Sequence, residues 1–258
     1  MQHDEHYESD LTDEQFAAIG DLLPPPAAKG RPRRHSLHAI VNATMYVVRT
    51  GCQWRQMPKG FPPWQTVYHY FSDWCHDGTW ESIHDRLRRA YRAAHGKKES
   101  ATAGIIDAQS VHAAEYAEQR GYDAGKKKNG HKRHLVVDTL GLIMAVTITT
   151  GNVQDRDAAV DAIRLAQERN ALEVVFADQG YAGKCESRVL QETGVRLEIV
   201  RRNPEPGFVV LPKRWIVERT NSWLYQERRL TRDYERKYTT VRAFIFLALI
   251  RKMVRYLY

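Results

Sequence analysis

The 258-residue sequence predicts an α/β protein, a mixed five-stranded sheet with flanking helices, preceded by a small all-α, helix-turn-helix-like module. Three observations predict it. Through residue 95, apolar residues recur at helical spacing between well-marked caps, with no strand-like run among them. From residue 104, β-branched runs follow one another at short spacing, as in an antiparallel meander. Beyond residue 150, helical and strand patterns alternate, which calls for crossover connections and parallel pairing. The chain therefore divides into a helical domain (1–95), a polar linker (96–103) and an α/β domain (104–258).

In the first domain, Thr12 and Gln15 make a capping box and Leu11 can staple onto Phe16, so a helix starts there and runs to Leu23. Pro24-Pro25-Pro26 stops it, and Lys29 to Arg34 follow as a basic extended arm carrying Arg31, Arg33 and Arg34. Leu37, Ile40, Val41, Thr44, Met45 and Val48 share one helix face, with Gly51 as its C-cap. Trp54 to Pro63 is a Pro-rich turn, Trp64 to Cys75 a third helix, and Glu81 to His95 a fourth with Ile83, Leu87, Ala90, Tyr91 and Ala94 inward. Helices joined by a tight turn beside a basic arm suit DNA, with Gln65, Thr66, His69 and Tyr70 able to reach base edges. A helical bundle used for dimerisation is the other reading of the same signals.

In the second domain, Gly104 to Ser110 reads as a strand and Tyr116 to Gly130 as a loop. His131–Thr139 and Leu142–Thr149 are strands about a turn at Gly141. A helix (Asp157–Asn170), a strand (Val174–Asp178), a helix (Cys185–Thr193), a strand (Val195–Val200) and a long helix from Arg214 complete the order. The apolar run from Val241 to Tyr258 closes the core or a dimer interface.

Composition narrows the function classes. A formal charge of +8 and a pI near 9.4 make a polyanion the first partner to consider. Cys52, Cys75 and Cys185 are few, odd in number and form no C-x-x-C pair, which argues against a disulfide framework or a zinc ribbon. The polar opening MQHDEHYESD is unlike a secretory leader, and the run Phe244–Ile250 is far below the ~20 residues that span a bilayer. A cytoplasmic protein is expected.

Asp107 is the residue that needs an explanation, because a carboxylate on a buried strand requires hydrogen bonds, a cation or a metal. Alone, it is most simply a structural aspartate. The helix before Val174 implies a right-handed crossover that lays this strand parallel to the first, so Asp178 at its end faces Asp107. Two close carboxylates repel, and a shared divalent cation relieves them. Glu218 on the long helix is the third candidate, with Asp138, Glu227, Asp233 and Glu235 as rivals.

The strings GIIDAQSVHA, GYDAGKKKNGHKRHLVVDTLGL, ADQGYAG and RWIVERTNSWLYQERRLTRDYE resemble bacterial insertion-sequence transposases of the DDE type, in the insertion-sequence 4/5 group. GCQWRQMPKGFPPWQTVYHYFSDW resembles the helical domain preceding their catalytic domain. The resemblance covers nearly the whole chain and implies an RNase H-like fold with Asp107, Asp178 and Glu218 as metal-binding triad. Arg214, four residues before the glutamate, matches that group's signature arginine, whereas Tyr225 stands where a basic residue is expected; Arg228 or Arg229 can substitute.

Such a protein would bind the terminal inverted repeats of its element, cut there and join the 3′-OH ends to target DNA, as a homodimer on double-stranded DNA. Three carboxylates can hold two Mg²⁺ ions, with Mn²⁺ able to substitute, and two such ions stabilise the attacking and leaving oxygens at phosphorus. Lys126, Lys127, Lys128, Lys132, Arg133, Arg201, Arg202, Lys213 and Arg214 are the expected phosphate contacts, against solvated surface as the plainer reading. Trp215 could stack on an unpaired base, while Trp223 reads as core. His131 and His134 would point to opposite faces of a strand, which rules them out as a metal pair. A transposase-derived DNA-binding regulator and a metal-dependent nuclease that does not transpose are the competing functions.

Overall fold

The computed structural model describes residues 6–25, 32–200 and 214–258; the side chain of Arg214 lies outside that set. The helical layer contains α1 (Asp13–Gly20), α2 (Leu37–Thr50), α3 (Trp64–His76) and α4 (Thr79–Ala94). Local chemistry sets these ends. The Thr12 hydroxyl accepts from the Gln15 N–H while the Gln15 side chain accepts from the Thr12 N–H, and Gly51, at φ 70°, closes α2 in the left-handed region that glycine adopts without strain. The tight turn lies between α3 and α4, at Asp77-Gly78, whereas α2 and α3 are separated by a longer connection containing the 3-10 turn Trp54–Gln56.

The sheet holds β1 (Ala103–His112), β2 (Gly121–Asp123), β3 (Lys128–Asp138), β4 (Ile143–Thr150), β5 (Val174–Ala177) and β6 (Arg196–Ile199). Its strands run β2-β3-β1-β5-β6, and β4 also pairs with β3. β1, β3 and β4 form the antiparallel meander; β5 lies parallel to β1, and β6 parallel to β5. Two helices, α5 (Ala159–Gln167) and α6 (Lys184–Thr193), join the parallel strands. Then come α7 (Arg214–Tyr225) and α8 (Tyr238–Leu257). This mixed, curled sheet with flanking helices behind a helical N-terminal region is the predicted fold class.

Two details differ from the sequence reading. The segment expected to be a loop, Tyr116 to Gly130, contains β2, whose three residues pair with the start of β3 and are too short to carry a periodic signal. On α4, Ala90 and Ala94 are exposed, and His84, Arg88 and Arg92 are buried beside Ile83 and Leu87. Charge does not keep these arginines outside because each has a carboxylate: Arg88 Nη2 donates to Asp85 over 2.7 Å and Arg92 Nη1 to Asp138 over 2.7 Å.

Side chains alternate across a strand, so the sheet buries two different faces. Ile105, Leu135, Val137 and Phe176 join a cluster with Ile216 and Val217 of α7, most of α8, and Ile40, Val67, Phe71 and Ile83 of the helical layer. Ile106, Val136, Met144, Val175 and Ala177 pack on the other face against Ile163 and Val189. The first cluster crosses the 96–103 segment read as a linker, so helical layer and sheet share one core through α8.

Candidate active site

Register and alternation carry Asp107 and Asp178 to the same place. β1 and β5 pair from Ala103↔Val174 to Ile105↔Phe176, and each aspartate lies two residues beyond that last pair. Two residues along a strand return to the same face. Asp107 therefore lies on the face of Ile105, and Asp178 on the face of Phe176, which is the α7 side. Both are half-buried, Asp107 within β1 and Asp178 just past the C-terminal end of the neighbouring parallel strand β5. One carboxylate oxygen of Asp178 accepts from the Gly180 N–H over 2.9 Å, capping the 3-10 turn Gln179–Tyr181. Capping uses one acceptor position among about four that a carboxylate offers, so it is compatible with a second role.

Tyr181 was not singled out from sequence. It is 1% exposed, and its hydroxyl has no hydrogen-bond partner among the described residues. Burial pushes its pKa well up, and the negative charges of Asp155, Asp107 and Asp178 push it further, so the ring lies in the field of both site aspartates. Nothing in the pattern of ADQGYAG distinguishes such a tyrosine from ordinary core.

Four other carboxylates compete with Glu218 for the third position. Asp138, Glu227 and Asp233 are buried and Glu235 is half-buried, and each is bound to an arginine: Asp138 to Arg92, Glu227 to Arg251, Asp233 to Arg133, and Glu235 to Arg229. Glu218 is exposed on α7, one position past the buried Val217, on a helix packed against β1 and β3. Among the described residues no three Asp, Glu, His or Cys side chains are gathered closely enough to enclose an ion. The donor set still suits a hard divalent cation, because its ligands are carboxylate oxygens.

The other expected contacts divide by burial. Arg34 and Gln65 line an open groove of about 1260 Å³ with Arg55, Lys59 and Trp64. Arg33 is half-buried, its Nε donating to the Tyr70 hydroxyl over 3.2 Å; Thr66 is half-buried, and His69 is exposed 3.4 Å from Asp73. Lys126 and Lys127 are exposed and Lys128 half-buried. Arg228 is exposed, and so is Trp215, stacked against the Arg219 guanidinium at 4.6 Å. Arg31, Arg201, Arg202, Lys213 and the Arg214 side chain lie outside the described residues.

Three expected DNA contacts are committed inside the protein. Arg133 is 0% exposed and binds Asp233, Gln109 and the Leu230 carbonyl. Lys132 is buried, 2.8 Å from Asp155 and 3.5 Å from Asp123. Arg229 is buried against Glu235 and the Cys52 carbonyl, because α7 ends at Tyr225 and the chain turns inward through Arg228–Leu230. Sequence placed these cations on charged surface; the partners that draw them in are far away in the chain. His131 and His134 also go to separate partners, Asp233 and the Thr149 hydroxyl.

Comparison with known proteins gives a consistent family. Residues 98–251 match the family model "Transposase DDE domain", and residues 11–84 match "Putative transposase of IS4/5 family". The chain is 32% identical over 130 residues to "Putative transposase for insertion sequence element IS402" of Burkholderia cepacia, covering 47% of this chain and 62% of the relative. It is 32% identical over 94 residues to "Insertion element IS402 uncharacterized 16.2 kDa protein" of the same organism, covering 33% and 61%. The chain thus spans about three fifths of the length of these curated relatives. Among solved structures, "Crystal structure of the Mos1 Strand Transfer Complex" aligns at a TM-score of 0.29 and 10% identity over 90% of this chain and 79% of that one. On the match over residues 98–251, more than half of the sequence, the chain belongs to the DDE-domain transposases.

Proposed function

We propose that this protein is an active transposase. It binds the inverted-repeat ends of its insertion element, hydrolyses the phosphodiester at each end and joins the freed 3′-OH to target DNA. The observation that supports this reading is that Asp107 and Asp178 each lie two residues past the last β1–β5 pair, on the α7 face. Asp107, Asp178 and Glu218 would hold divalent cations, Mg²⁺ with Mn²⁺ able to substitute. Such cations would supply positive charge that stabilises an in-line displacement at phosphorus.

The chain's own groups supply placement. The Asp107 backbone is fixed by pairing opposite Leu135 of β3, and the Asp178 carboxylate by its cap on Gly180, which limits the ordering left for when DNA arrives. Glu218, on the exposed side of a helix anchored by Ile216, Val217 and Leu224, would complete the set. Arg34 and Gln65 in their groove, and exposed Arg228, are the phosphate and base contacts this reading uses. The protein would act on DNA as a homodimer, one copy for each end.

The test is an end-labelled duplex carrying the DNA that borders the coding sequence, incubated with target plasmid and Mg²⁺. Cutting at the element boundary and joining to the plasmid, both lost with EDTA, is the expected result. Cutting without joining would make the protein a nuclease, and binding without cutting a regulator.

A further inference from the structure

β1 carries more backbone acceptors than its neighbouring strands use. It pairs with β3 from Gly104 to His112, but with β5 only from Ala103 to Ile105. In an antiparallel pair, successive residues direct their N–H and C=O groups alternately toward the partner and away from it. The Thr102 carbonyl accepts from the N–H groups of Glu173 and Val174, at 2.8 and 3.3 Å, so the even-numbered carbonyls face the β5 side. Ala108 and Ser110 are in the same phase, past the last residue of β5.

Two lysines take those carbonyls. Lys126 Nζ donates to the Ala108 oxygen over 2.9 Å, and Lys128 Nζ to the Ser110 oxygen over 3.1 Å. Both come from the β2–β3 hairpin, which is clamped onto β1: Asp123 accepts from the Ser110 hydroxyl over 2.5 Å and from the Lys126 N–H over 3.1 Å. The gap where two parallel strands part, at their C-terminal ends, is the favoured ligand crevice of an α/β sheet. Here the crevice begins between Asp107 and Asp178, and the two ammonium groups stand along its β1 edge, next in chain to Asp107.

An ammonium has three N–H donors, and the carbonyl bond uses one on each lysine. We propose that Lys126 and Lys128 are the phosphate clamp of the crevice. Each holds a β1 carbonyl with one donor and offers the others to a backbone phosphate of the DNA strand crossing the two aspartates. This inference rests on the DNA reading above. The lysines are binding and positioning residues, and they work without a metal because their charge is fixed to the protein's own strand.

The experiment is binding of a short fluorescent duplex to the full chain by anisotropy, across a KCl series without divalent metal. For duplex DNA the slope of log K against log salt is about 0.9 per phosphate contact. Lys126→Ala/Lys128→Ala should flatten that slope by about 2, whereas Lys126→Arg/Lys128→Arg should keep it. Asp107→Ala, which removes a negative charge, should not flatten it. If the alanine pair fails to fold in a thermal melt, Lys126→Met and Lys128→Met are read singly, each flattening the slope by about 1. A wild-type slope in the folded alanine or methionine variants would overturn the clamp. If the wild-type protein itself shows no salt-dependent binding, the DNA reading fails instead.

Discussion

At the scale of residues, several of the charges that the sequence shows as surface are used inside. Arg133 and Asp233 are both buried, and removing one would leave the other uncompensated. Asp233→Ala should therefore cost about 3–5 kcal/mol in urea unfolding, with Arg133→Met/Asp233→Leu much closer to wild type. Two histidines bring a pH dependence. Burial holds His84 near pKa 3 and His134 near 4, against an ordinary 6.5. The unfolded chain then takes up these protons first, so stability is full above pH 6.5 and falls as pH drops toward the folded values. Each histidine contributes up to about 1.4 kcal/mol per pH unit in that window. His84, its ring 5.0 Å from that of Phe246, is the cleaner test: His84→Leu should flatten the urea-midpoint profile below pH 6.5 by roughly half. Asp107 and Asp178 could be picked out in the sequence because a carboxylate directly after a buried apolar run stands out against its neighbours. Arg133 could not, since its partner is 100 residues away and no local pattern announces it.

At the scale of elements, caps and β-branched runs carried the reading, and short or unpatterned pieces escaped it. Thr12, Gln15 and Gly51 mark helix ends by local hydrogen bonding alone, which is why those ends were readable. β2 escaped because three residues have no period, and the inward turn at Arg228–Leu230 because it is set by packing. Gly141 shows what a single turn position can require. Its φ is +81°, and an added Cβ would lie 3.0 Å from the Thr220 hydroxyl and 3.2 Å from the Arg219 guanidinium. Gly141→Ala should destabilise by more than about 1 kcal/mol, and a thermal melt checks it. α8 has the largest reach. Phe244 meets Phe71 at 4.8 Å and lies under the Arg229 guanidinium at 5.2 Å. Phe244→Ala should cost about 3–5 kcal/mol and lower the urea midpoint of the helical layer and the sheet together.

At the scale of the whole molecule, the order of strands followed from the order of elements, since one crossover is enough to lay β5 beside β1 and parallel to it. The sharing of one core between helical layer and sheet did not follow. The polar segment 96–103 reads as a linker, yet α8 packs on α2, α3, α4 and β4. A fragment of residues 104–258 would expose that face of α8, and we expect it to aggregate or to lack a cooperative transition by circular dichroism. The central claim is narrower than the fold: Asp107, Asp178 and Glu218 act as one site. It is tested most directly by cutting of the labelled element end in Mg²⁺ by Asp107→Ala, Asp178→Ala and Glu218→Ala, with binding of the same duplex measured alongside. The account predicts that each variant binds the duplex and that each loses cutting by on the order of 10³ or more. A Glu218→Ala protein that cuts at the wild-type rate would contradict it.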